Sequence, residues 1–197
     1  MLTGGAQSSE NILYGDAYYM SNSQGGNDLL AGGVGSKANM LYGDASTFDG
    51  NTVGGNDILI AGDRSVSVVT TNSLYGDGKD SVTGNVICGN DRLISGTGDD
   101  AMWGDIANSD YGAVIDLSRI TTGRDVFVFS NNNGTDFIHD FRHGEDKIDL
   151  HGIAGVNSFN AITPLEVSGA DTVIRFGSNT ITVIGVTDLA AADFLFS

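Results

Sequence analysis

Residues 54–63 read GGNDILIAGD, and the phrase returns as GGNDLLAGG from Gly25, CGNDRLISGTG from Cys88 and, in degenerate form, GRDVFVF from Gly123. A second phrase alternates with it: NILYGDA from Asn11, NMLYGDA from Asn39, NSLYGDG from Asn72 and DAMWGDI from Asp100. Aligned on aspartate, the second series gives Asp16, Asp44, Asp77 and Asp105 at spacings of 28, 33 and 28, and the first gives Asp28, Asp57, Asp91 and Asp125 at 29, 34 and 34. Two phrases in each period near 30 describe one coil of a solenoid carrying two short strands.

Within a strand the side chains alternate, so in Asp57-Ile58-Leu59-Ile60 the leucine points inward and both isoleucines outward. The inward row is then Leu13, Leu30, Leu41, Leu59, Leu74, Leu93 and Met102. One coil buries almost nothing, so the coils must stack. Glycines at the turns let neighbouring coils approach and turn carbonyl oxygens into the loop. A column of carboxylates at one strand spacing, about 4.8 Å, repels itself, whereas a divalent cation between successive coils makes the same column attractive. The repeat therefore calls for a metal.

Composition agrees. The 197 residues carry 22 Asp against 3 Glu, 29 Gly, and a net charge of −16. Asp and Gly form turns and Asp is a compact ligand for hard cations, so an all-β chain is expected, not a helical one. The acidity excludes nucleic acid and anionic membrane surfaces as partners, and no apolar run approaches the roughly 18 residues of a membrane span. With 40% hydrophobic residues the chain is too apolar for an acidic disordered tail. The one cysteine, Cys88, forms no internal disulfide and reads as a small residue flanking a turn. The start, MLTGGAQSSEN, has neither the basic nor the apolar stretch of a secretory signal peptide.

The phrase Gly-Gly-Asn-Asp-x-Leu-x-Gly, with the run Gly96-Thr97-Gly98-Asp99-Asp100-Ala101-Met102-Trp103-Gly104, resembles the nonapeptide repeat of RTX (hemolysin-type) calcium-binding β-rolls. The resemblance covers residues 11–105 as repeats. It continues through GRDVFVF (123–129), TDFIHDF (135–141), GEDKIDL (144–150) and the final AADFLFS, which are similar to the C-terminal domain that caps the roll in serralysin-type secreted proteases. The implied fold is a right-handed parallel β-roll over residues 4–122, enlarged by inserted loops on one edge, then a β-rich cap over 123–197. The implied cofactor is calcium, as several ions. Their candidate ligands are Asp16, Asp28, Asp44, Asp57, Asp77, Asp91, Asp99, Asp100, Asp105 and Asp125, with Asn27, Asn56 and Asn90 and the turn glycines Gly26, Gly55 and Gly89.

Departures from the family pattern sharpen the expectation. Extra residues 18–25, 46–54 and 79–88 fall at the same point of the same turn, which keeps Asp at both ends. The opposite turn closes on Asn39, Asn72 and only once on Asp100. Calcium is expected along one edge, with Asp99 and Asp100 as the exception.

Other constellations carry less. His139, His143 and His151 lie in strand-and-turn sequence without a nearby cysteine and read as surface residues, not zinc ligands. No nucleophile has a base at a recognisable spacing, so no enzyme activity is expected. Tyr14, Tyr42, Tyr75 and Trp103 recur once per coil, as packing between coils or under the insertions, or as a platform for sugars. Asp193-Phe194-Leu195-Phe196 resembles the acidic-then-apolar terminal address of type I exported proteins. The expected function is a calcium-dependent folding and secretion module, extracellular once exported, with the type I secretion machinery as its protein partner. The alternatives are an adhesive or polysaccharide-binding protein, and the C-terminal part of a secreted hydrolase.

Overall fold

A computed structural model describes residues 1–65, 71–107 and 116–196. Among them there is no α-helix, and the fold is a parallel β-roll closed by a β-rich cap. A seven-stranded sheet stacks Leu2–Thr3, Leu29–Ala31, Ile58–Ile60, Arg92–Ile94, Val126–Ser130, Lys147–Gly152 and Phe194–Leu195, every neighbour parallel. An eight-stranded sheet faces it. Its parallel part runs Asn11–Tyr14, Ala38–Tyr42, Thr71–Tyr75, Asp99–Trp103, Thr135–Ile138 and Asn179–Val183, and it ends with antiparallel Asp171–Phe176 and Glu166–Ser168.

Register follows the repeat. Leu30, Leu59, Leu93, Phe127 and Ile148 are direct partners in the first sheet, and Leu41, Leu74, Met102, Ile138 and Val183 in the second. All ten side chains are fully buried in one core. Each such side chain stabilises the fold by about 1.5–3 kcal/mol relative to exposure. Leu13, in the first coil, is only partly buried, because little chain lies beyond it. Ile58 is exposed, as its alternate position requires. Strands from before and after the expected boundary at 122/123 pair directly in both sheets, Leu93 with Phe127 and Met102 with Ile138.

The insertions differ from expectation. They are not loops but strands: Ala17–Ser21, Ala45–Asp49 and Gly78–Val82 stack as a third sheet, and Asn51–Val53, Asn85–Ile87 and Ile120–Thr121 as a fourth. Met20, Phe48 and Val82 fall in register and share a second core with Ala45, Val86, Cys88 and Ile106. The corner between the two new strands is built by left-handed Asn22 (φ 47°) and Gly50 (φ 66°), conformations that asparagine and glycine tolerate. Met20 and Phe48 each follow their Gly-Asp aspartate by four residues and Val82 by five, a register shift between Gly78 and Ser81 taking up the difference, and this recurrence of an apolar residue was the signal for strand.

Candidate metal centre

Each coil leaves the main core at the Gly-Asp that follows the tyrosine strand, runs out through the insertion and returns at the Gly-Asn-Asp before the leucine strand. The two crossings form a narrow neck between the two apolar cores, and both aspartate series line it. The returning series is a ladder: Oδ1 of Asp57 accepts the backbone N–H of Asp28 at 2.7 Å, Asp91 that of Asp57 at 2.7 Å, Asp125 that of Asp91 at 2.8 Å and Asp146 that of Asp125 at 2.9 Å. The departing series ties each coil to its own return. Asp16, Asp44, Asp77 and Asp105 accept the N–H of Gly26, Gly55, Gly89 and Gly123 at 2.9, 2.9, 2.9 and 2.7 Å.

These bonds use one oxygen of each carboxylate. The Oδ2 atoms of Asp44, Asp57, Asp77, Asp91 and Asp125 are buried without any hydrogen-bond partner. Backbone crowds them from the side: a Cβ on Gly43 would overlap the Gly76 carbonyl oxygen and Asp57 Oδ2, so only glycine fits there. The carbonyl oxygens of Gly26, Gly55 and Gly89 turn toward Gly55, Gly89 and Gly123 of the next coil.

Electrostatics amplify the geometry. Burial, then the neighbouring carboxylates, pushes Asp57 up to about 7, Asp44 to about 8 and Asp125 to about 9, and raises Asp77 and Asp91 well above the usual carboxylate range. A row of buried oxygens without donors or counter-ions is what a hard cation with all-oxygen coordination would complete. The residues present therefore fit calcium. The first coil is different, since Asp16 is exposed and Asp28 only half-buried.

Other candidate residues lie outside this row. Asn27, Asn56 and Asn90 are exposed, and their side-chain oxygens accept the N–H of Asn56, Asn90 and Arg124 at 3.0, 2.7 and 2.9 Å. On the opposite turn Asn11, Asn39 and Asn72 form a carboxamide ladder, each donating to the next at 2.8 and 2.7 Å, with Asn72 donating to Asp100. Both oxygens of Asp100 are engaged, Oδ2 by Ser95 Oγ at 2.9 Å and the Gly96 N–H at 2.8 Å. Asp99 accepts the Thr135 N–H at 3.0 Å. An amide both donates and accepts, so it closes this turn without a cation.

Three aspartates that the repeat did not flag finish the columns. Asp146 ends the returning ladder and also accepts the Arg142 N–H at 2.7 Å. Asp140 covers the N–H groups of Gly104 and Asp105 at 2.8 and 3.0 Å, where the earlier coils use carbonyls of the next coil. Asp136 accepts the Asp100 N–H at 3.0 Å. Asp146 stands two residues before the inward Ile148 just as Asp125 stands two before Phe127, and that was its readable signal.

The aromatic series stacks: Tyr14–Tyr42, Tyr42–Tyr75 and Tyr75–Trp103 centroids lie 4.7, 4.8 and 4.9 Å apart, and Trp103–His139 4.1 Å. Tyr42 and Tyr75 are buried, so this is packing. His143 and His151 are about half exposed and pair with Asp193 and Asp149 at 2.8 and 2.7 Å, whereas His139 is half-buried in the stack. At the C-terminus Phe194 pairs with Ile148, and Asp193 is fully buried.

A family model described as peptidase M10 serralysin C terminal matches residues 19–196. No curated protein sequence matches the chain. Among solved structures, the extracellular lipase LipA from Serratia marcescens is similar at 18% identity with a TM-score of 0.39. That match covers 87% of this chain and 38% of the lipase chain.

Proposed function

The chain belongs to the peptidase M10 serralysin C-terminal family, and on that footing we propose that it is a calcium-dependent folding and secretion module of a type I exported bacterial protein. The observation that carries the reading is the set of five partnerless, buried carboxylate oxygens on Asp44, Asp57, Asp77, Asp91 and Asp125. When bound, calcium supplies the positive charge and oxygen coordination that this row lacks. The chain's own residues do the rest: the Oδ1 bonds fix each carboxylate on its coil, and the stacked glycines bring the coils close enough to share a ligand.

The mechanism is linkage. In a low-calcium cytosol the columns repel and the chain remains extended for export. Outside the cell, calcium at about 10⁻⁴ to 10⁻³ M binds only the folded roll and draws the equilibrium toward it. The terminal Asp193–Phe196 segment supports the same order of events. Phe194–Leu195 is the last strand of the seven-stranded sheet, so the export machinery reads this segment only before folding. The module has no catalytic step of its own. Export through a type I apparatus tests the reading: the full chain should reach the medium, and the chain cut after Ala192 should remain inside. Equal export of both would contradict it.

A further inference from the structure

The position that is Gly25 in the first coil and Gly54 in the second is Cys88 in the third. It stands directly in the neck. A Cβ on Gly54 would press on carboxylate oxygens of Asp44 and Asp77, the consecutive members of the departing series. Cys88 lies correspondingly between the next two, Asp77 and Asp105. Its sulfur and one carboxylate oxygen from each of them lie within 4.8 Å of one another, the one such trio of metal-binding side chains among the described residues. All three residues are buried, at 7%, 0% and 5% exposure, and Asp77 keeps an oxygen without a partner. Cys88 packs at the edge of the second core while its sulfur faces the carboxylate column, and its coil loses the space that glycine leaves there for all-oxygen coordination.

We propose that Asp77, Cys88 and Asp105 form a mixed thiolate–carboxylate site for a borderline or soft divalent cation of the zinc class, distinct in selectivity from the oxygen-only positions beside it. Thiolate ligands favour such metals over calcium, and two carboxylates with one thiolate leave a further coordination position open for water or a backbone oxygen. Gly123 N–H holds Asp105 Oδ1 at 2.7 Å, and Arg142 stands 3.7 Å from Oδ2, which fixes that ligand's direction.

The site shares one carboxylate, Asp77, with the calcium row and so rests on that reading, but the two are separable. The probe is cadmium, added to the full chain in excess calcium. One equivalent should produce the ultraviolet thiolate-to-cadmium charge-transfer band, and zinc should abolish it by competition. Cys88→Gly, which restores the residue of the first two coils, should lose the band while calcium still induces β-structure. Cys88→Ser should lose it too. A native chain that stays silent to cadmium in that excess of calcium, or a band that persists in Cys88→Gly, would overturn the site. Circular dichroism of the same samples reads the calcium reading independently of the band.

Discussion

Asp57 holds its place in the ladder with one oxygen, and leaves the other buried and partnerless with a pKa raised to about 7. Asp57→Asn keeps the acceptor for Asp28 and removes the charge. The variant should bind fewer calcium ions by calorimetry, and in chelator it should retain more β-structure than the native chain. Asn72 is its counterpart on the opposite turn. It accepts from Asn39 at 2.7 Å and donates to the Gly62 carbonyl at 3.1 Å. Asn72→Ala orphans those buried partners at a cost of about 1–3 kcal/mol. It should lower the calcium-loaded melting temperature yet leave the number of bound ions unchanged. An unchanged ion count for Asp57→Asn beside a reduced one for Asn72→Ala would contradict the one-sided arrangement. Asp spacing alone located Asp57 and its equivalents, because the repeat is printed in the sequence. It did not separate side-chain roles within one motif: Asn56 is adjacent to Asp57 but faces outward, and strand alternation, not motif membership, decides that.

Among the elements, the insertions show what a sequence reading misses. Phe48 looks like an isolated aromatic in a polar loop until its register partners Met20 and Val82 are placed beside it. Phe48→Ala should destabilise the calcium-loaded protein by about 3–5 kcal/mol, measured by chemical denaturation, since it opens a cavity in the second core. A change below about 0.5 kcal/mol, the size expected of an ordinary surface substitution, would mean that this core is not formed. The first cap strand was legible as a continuation through GRDVFVF and Asp125, whereas the later ones were legible only as apolar strands. Phe127 and Ile138 extend both sheets in register, although the phrases around them have lost the repeat's glycines. Cutting after Ile120 removes the partners of Leu93 and Met102 and exposes two long edges. The 1–120 fragment should need more calcium to fold, fold less cooperatively and associate. A monomeric fragment with the native calcium midpoint would deny the cap its sealing role.

For the whole molecule, charge and fold are opposed until something neutralises the neck. Protons can do so as well as calcium. The folded pKa values of Asp57, Asp44 and Asp125, about 7, 8 and 9, lie above the unfolded aspartate value of about 3.9. A group raised in this direction contributes stability that is fully present below the unfolded value and lost as pH rises through the folded one. In chelator, β-structure should therefore grow as pH falls from about 9 toward 4, whereas with calcium the dependence should flatten. A chelated chain whose structure declines over the same interval would show that the carboxylates are not what opposes folding. The most direct test of the account is a calcium titration of the full chain at neutral pH, followed by far-ultraviolet circular dichroism from excess chelator to millimolar calcium. A largely disordered spectrum that converts cooperatively to β-structure is the predicted result; a native β spectrum already present in chelator and unmoved by calcium would contradict it.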